Sequence, residues 1–99
     1  MVIKKLKQEA EIALRHIEVL KTVMENQPIG IFKLAELMDM PRHKIRYSLR
    51  VLEQSGIIEP TQYGAIIKDE AYGKIEDLKK DIDEVKKLVE EMSKILNSL

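Results

Sequence analysis

Thirteen residues separate Asp39 from Glu53, and none of them is acidic, yet Arg42, Lys44, Arg46 and Arg50 all lie among them. The 99-residue chain balances 17 Lys and Arg against 17 Asp and Glu, so this local excess is not the overflow of a basic protein. Sorting by residue type sharpens the point. Three of the four arginines fall within nine residues, Arg42 to Arg50, a stretch that holds only one of the thirteen lysines. A guanidinium is a planar fork of donors that can bind guanine O6 and N7, or a phosphate, at two points, whereas an ammonium is a point charge. Arginine gathered in this way points to recognition of a shaped anion. His43, Tyr47 and Gln54 add hydrogen-bonding groups in the same segment.

These residues need one element to present them. Pro41 suits the first position of a helix and Gly56 the residue just beyond its end, which predicts a helix over 41–55. Ile45, Leu49 and Leu52 share a face that must point into a core. The 3.6-residue period then sets His43, Tyr47, Arg50 and Gln54 on the opposite face, with Lys44 and Arg46 on the two flanks.

The flanking elements follow from apolar spacing. Ile3, Leu6, Ala10, Ala13, Ile17, Leu20 and Met24 recur every three or four residues, which predicts an amphipathic N-terminal helix ended by Asn26, Gln27 and Pro28. Phe32 to Met38 reads as a short helix offering Phe32, Leu34, Ala35 and Met38 for burial, and Asp39 tolerates the left-handed backbone of a corner. Ile57-Ile58 and Ala65-Ile66-Ile67 flank a turn-rich stretch, Pro60 to Gly64, and read as a small hairpin in which Gly64 supplies a positive φ. His16, one residue from Ile17, is expected on the flank of the stripe. Met24, Met38, Met40 and Met92 are expected to fill core gaps.

The last segment is the most regular. Ile75, Leu78, Ile82, Val85, Val89, Met92, Leu96 and Leu99 alternate three and four residues apart, a coiled-coil seam for dimerisation. Its mostly β-branched first core positions favour two parallel strands, with Asp81 able to meet Lys86 of a second copy. Leu88 and Ile95 widen the stripe beyond a two-stranded seam, so a further surface should cover it. The N-terminal helix, with small Ala10 and Ala13, is the expected cover.

The run "LAELMDMPRHKIRYSLRVLEQSGII" resembles the helix-turn-helix core of winged-helix transcription regulators. A Leu-Ala pair, Leu34-Ala35, opens the first motif helix, Asp39 turns the corner, and Ile45 sits inside the second helix. Leu52-Glu53 with Gly56 then leads through Ile57-Ile58 into a wing. The match spans residues 29–68, about two-fifths of the chain. It departs from the pattern at Asp39, where glycine is usual, and in lacking a Ser or Thr cap on the second helix. The resemblance implies a mainly α fold with a small β-hairpin wing, a winged helix-turn-helix flanked by long N- and C-terminal helices. It also implies that helix 41–55 enters the major groove of double-stranded DNA. In that frame Arg46, Tyr47, Arg50 and His43 contact base edges, Arg42, Lys44 and Lys33 hold phosphates, and Gln54 lies on the same face. The wing would offer Gln62, Tyr63 and Lys68.

Three regions result: 1–26, a helix packing on the core and dimer interface; 27–69, the winged helix-turn-helix; and 70–99, the dimerisation helix. The expected function is that of a homodimeric, sequence-specific transcription regulator reading two half-sites. The alternative is a winged-helix interaction module tethered by its coiled coil to a larger complex. Catalysis and cofactor chemistry find no support. The chain has no cysteine, its two histidines lie far apart, and no nucleophile with a base, acid pair or phosphate-cradling glycine loop occurs. No metal and no small-molecule ligand is inferable. With no long apolar run for a membrane, a cytoplasmic protein is expected.

Overall fold

The computed structural model describes all 99 residues. It orders them as α1 (Ile3–Asn26), α2 (Ile31–Met38), α3 (Arg42–Gln54), β1 (Ile58–Thr61), β2 (Gly64–Ile67) and α4 (Ala71–Asn97). The chain is therefore mainly helical with one two-stranded antiparallel hairpin.

Helix α1 stops where Pro28 excludes helical geometry in the residue before it; Gln27 adopts φ −60° and ψ 141°. The helix has two apolar faces. The residues it buries are Val19, Leu20 and Val23. They face α2, α3 and β2. Of the stripe predicted from spacing, only Leu20 is buried; Ile3, Leu6, Ala10, Ile17 and Met24 remain exposed. Spacing found a real apolar face of α1, but the core is built on the adjacent one.

Asp39 closes α2 in the left-handed region, at φ 48° and ψ 52°. Its N–H bonds the Glu36 carbonyl at 3.3 Å, and the next N–H, of Met40, reaches the Ala35 carbonyl at 3.1 Å, so the last carbonyls of the helix are satisfied without glycine. Phe32, expected to be available for burial, is 63% exposed. Helix α3 starts one residue later than expected. Pro41 has an extended ψ of 141° and acts as the cap, its carbonyl accepting from Lys44 and Ile45 at 3.1 and 3.3 Å. At the other end Gly56 takes φ 75°, the positive value expected just past the helix.

The hairpin pairs Ile58 with Ile67 and Thr61 with Gly64, leaving Gln62 and Tyr63 as a two-residue turn. Its turn is tighter than the expected Pro60–Gly64 loop, because Pro60 and Thr61 belong to β1. The other edge of β2 meets Ile29, whose N–H and carbonyl both bond Ala65, at 3.2 and 2.7 Å. Gly64 lies under that bridge at φ 123°, and a Cβ there would come within 2.5 Å of the Ile29 backbone, so only glycine fits.

Twelve apolar residues form one core: Val19, Leu20 and Val23 of α1, Leu34 of α2, Ile45 and Leu52 of α3, Ile29, Ile57, Ile58, Ala65 and Ile67 around the hairpin, and Ala71 at the start of α4. Met38 and Met40 pack against it as expected. Met24 and Met92 do not; both are exposed, because the faces carrying them have no neighbour within the chain. Beyond Ile75 every residue of α4 is exposed. The seam from Val85 to Leu99 thus stands free, and α1 does not cover it: Leu88 is 62% and Ile95 55% exposed. No helix is long and apolar enough to cross a membrane.

Candidate nucleic-acid interface

Helix α3 is anchored by Ile45, Ser48 and Leu52, with Leu49 partly buried. That anchoring rolls Arg42, His43, Lys44, Arg46, Tyr47, Arg50 and Gln54 outward, and all seven are exposed. None of the four cations is paired with a carboxylate; the only ion pairs are Lys21–Glu25, Lys33–Glu36 and Lys79–Glu76. The first turn of α3 holds no acid either, so the positive end of the helix dipole adds to the same field. Lys33, exposed on α2, lies 3.6 Å from Glu36 and is partly compensated.

Two arginines are held by aromatic rings. The Arg42 guanidinium carbon lies 4.3 Å from the centroid of the Phe32 ring, a cation–π contact across the α2–α3 corner. This explains why an exposed phenylalanine is of use: it narrows the positions available to Arg42. The second case was not expected. Arg15, the only arginine outside α3, sits 5.7 Å over the ring of Tyr47, and its Nε donates to Ser48 Oγ at 3.2 Å. All four arginines therefore lie on or against α3.

His16, half-buried on the flank of the α1 stripe, also belongs here. Its Nδ1 lies 2.8 Å from Ser48 Oγ, and its ring stands 5.5 Å from that of Tyr47. Ser48 is fully buried, with 0% exposure. With Arg15 donating to Oγ, the hydroxyl proton can be given to Nδ1 of a neutral His16. Burial, followed by the neighbouring Arg15 charge, lowers the His16 pKa below its ordinary value. Tyr47 is correspondingly less free than the helical wheel implies, since one side of its ring leans on α1.

The hairpin residues divide. Gln62 and Tyr63 form the exposed tip, where the Tyr63 N–H bonds Thr61 Oγ1 at 3.1 Å. Lys68 follows β2 at the hairpin base, half-buried, its N–H donating to the Ile57 carbonyl at 3.0 Å. It lies at the opposite end of the hairpin from Gln62 and Tyr63.

A second feature lies on the other side of α1. Ala13, Ile17 and Leu20 face Leu78 and Ile82 of α4 across a groove floored by Val51, Leu52 and Ile57. Two apolar stripes, that of α1 and the seam of α4, thus border one open channel. No group of three or more His, Asp or Glu side chains is placed to hold a metal ion. In comparisons with known proteins, no family model matches the chain and no curated protein is significantly similar to it.

Proposed function

We propose that the chain is a sequence-specific transcription regulator that binds double-stranded DNA as a homodimer. The winged helix-turn-helix spans residues 29–68 in this reading, and α3 lies in the major groove. The observation that carries it is the convergence of Arg15, Arg42, Arg46 and Arg50 on α3, all free of carboxylate partners in a chain of zero net charge. A field of this kind steers a polyanion to one face while acids elsewhere offset the charge. Arg46, Arg50, His43 and Tyr47 read base edges; Arg42, Lys44 and Lys33 hold phosphates; Gln62 and Tyr63 at the hairpin tip reach the flanking groove.

The homodimer rests on the uncovered apolar stripes of α1 and α4. Patches of this extent are rare on monomers and signal a contact surface. A second copy offers the same stripe, and symmetric pairing would give two recognition helices for two half-sites. The same stripes favour one other reading, an interaction module docked through α4 on a larger complex.

Selection from a randomised duplex pool separates the two. A regulator enriches a two-fold symmetric sequence; a pool that emerges unenriched from binding at low salt overturns the regulator.

A further inference from the structure

We propose a phosphate-binding subsite in the groove between α1 and the first turns of α3, with the Arg15 guanidinium on one wall and the Lys44 ammonium on the other. Gln8, Glu11, Ile12, Arg15, Met40 and Lys44 line this groove, which is open to solvent. The proposal rests on the DNA-binding reading and extends the contact surface from α3 onto α1.

Three observations carry it. Arg15 is oriented, because its Nε is committed to the buried Ser48 hydroxyl and its guanidinium carbon lies 5.7 Å from the Tyr47 ring centroid, so its two terminal NH₂ groups are the donors left over. They have no carboxylate partner, although Glu9, Glu11 and Glu18 share the helix. Lys44 is the one cation of α3 that the helical period turns toward α1, so the two charges face one groove from different elements. A diester phosphate matches this pair: its two non-bridging oxygens meet the fork of Arg15, and one of them also accepts from the ammonium. Glu11 is the single acid in the lining and opposes an anion, which gives the site a second handle.

Arg15 and Lys44 would then grip the strand beside the one read by Arg46 and Arg50. A phosphate contact contributes equally on every sequence and adds close to 0.9 to the steepness of log affinity against log salt. The test is fluorescence anisotropy of one labelled duplex between about 50 and 200 mM salt, a range in which phosphate contacts dominate. Full-length wild type, Arg15→Gln, Arg15→Lys, Glu11→Gln and the remote control Glu91→Gln are compared. Arg15→Gln keeps a donor for Ser48 but loses the charge; it is expected to weaken binding severalfold on all sequences and to flatten the slope by about 0.9. Arg15→Lys should retain most of the slope. Glu11→Gln should tighten binding where Glu91→Gln does not.

A purely structural Arg15 would lower the melting temperature of Arg15→Gln and leave the salt slope and Glu11→Gln affinity at wild-type values. That outcome overturns the subsite alone. Wild type that binds no duplex at the lowest salt overturns the DNA-binding reading and the subsite together.

Discussion

The hydroxyl of Ser48, fully buried in the middle of α3, meets Nδ1 of His16 at 2.8 Å and so ties the exposed helix to α1. Ser48 sits between Ile45 and Leu52 on the face that builds the core, where an apolar residue would be the default. Its two partners come from consecutive residues of another helix, Arg15 and His16. Removing the hydroxyl leaves both of them short of a partner in a partly dry site. Ser48→Ala is therefore expected to lose about 1–2 kcal/mol of stability, the cost of orphaned polar groups, in a denaturant titration. Unchanged stability would mean that water satisfies both.

The same bond sets a pH dependence. A His16 pKa held below its unfolded value means that the unfolded chain takes up a proton first as pH falls. The contribution is complete above the unfolded value of about 6.5 and is lost as pH drops from there toward the folded pKa. Thermal melts should show stability declining across that window, and His16→Gln should remove the decline. The sign would be wrong if wild type became more stable on acidification relative to His16→Gln.

Much of this molecule is legible in its residues. The helix over α3, the left-handed corner at Asp39, the stop at Gly56 and the hairpin all follow from local chemistry, because each depends on neighbours in sequence. What depends on a neighbour in space was less accessible. Periodicity found the stripe of α1 through Ile3, Leu6 and Ile17 but not the face of Val19 and Val23 that enters the core, since both faces are apolar and only the packing decides between them. The join at His16 and Arg15 left one trace, a serine at a core position of α3. Such a residue implies a buried polar partner without naming it.

Gly64 supports a prediction about the hairpin. At φ 123° beneath the Ile29 backbone it has no room for a side chain. Gly64→Ala should cost about 1–3 kcal/mol through left-handed strain, with the clash added to it. The effect should be visible as a lowered denaturation midpoint. A midpoint within error of wild type would show that β2 can shift away from Ile29.

The seam of α4 offers a test that the isolated chain makes clean. Val85 and Val89 are exposed and touch none of the core, so a substitution there disturbs nothing unless a second molecule covers them. Val85→Asp with Val89→Asp is expected to give a monomer by sedimentation equilibrium, with the helical signal of the core retained. Wild type should show a melting temperature that rises with protein concentration, as association requires. A wild type already monomeric at all concentrations would remove the homodimer.

Within α3 the arginines should separate into two kinds. Arg46→Ala and Arg50→Ala are each expected to lose about 1–3 kcal/mol on the preferred sequence and much less on altered ones, since a base contact discriminates. Arg42→Ala should weaken binding evenly across sequences, and Phe32→Ala should do the same to a smaller degree by releasing Arg42 from its ring. Competition binding against single-base variants of a selected site reads both patterns. Equal losses on every sequence for Arg46 and Arg50 would reassign them to the backbone.

The most direct measurement is the affinity of wild type and Arg46→Glu for a labelled duplex across a salt series from about 50 to 200 mM. Recognition through α3 requires that log affinity fall steeply and linearly with log salt for wild type, and that Arg46→Glu lose binding throughout. Binding by neither protein at the lowest salt, or equal binding by both, would contradict a DNA-reading α3.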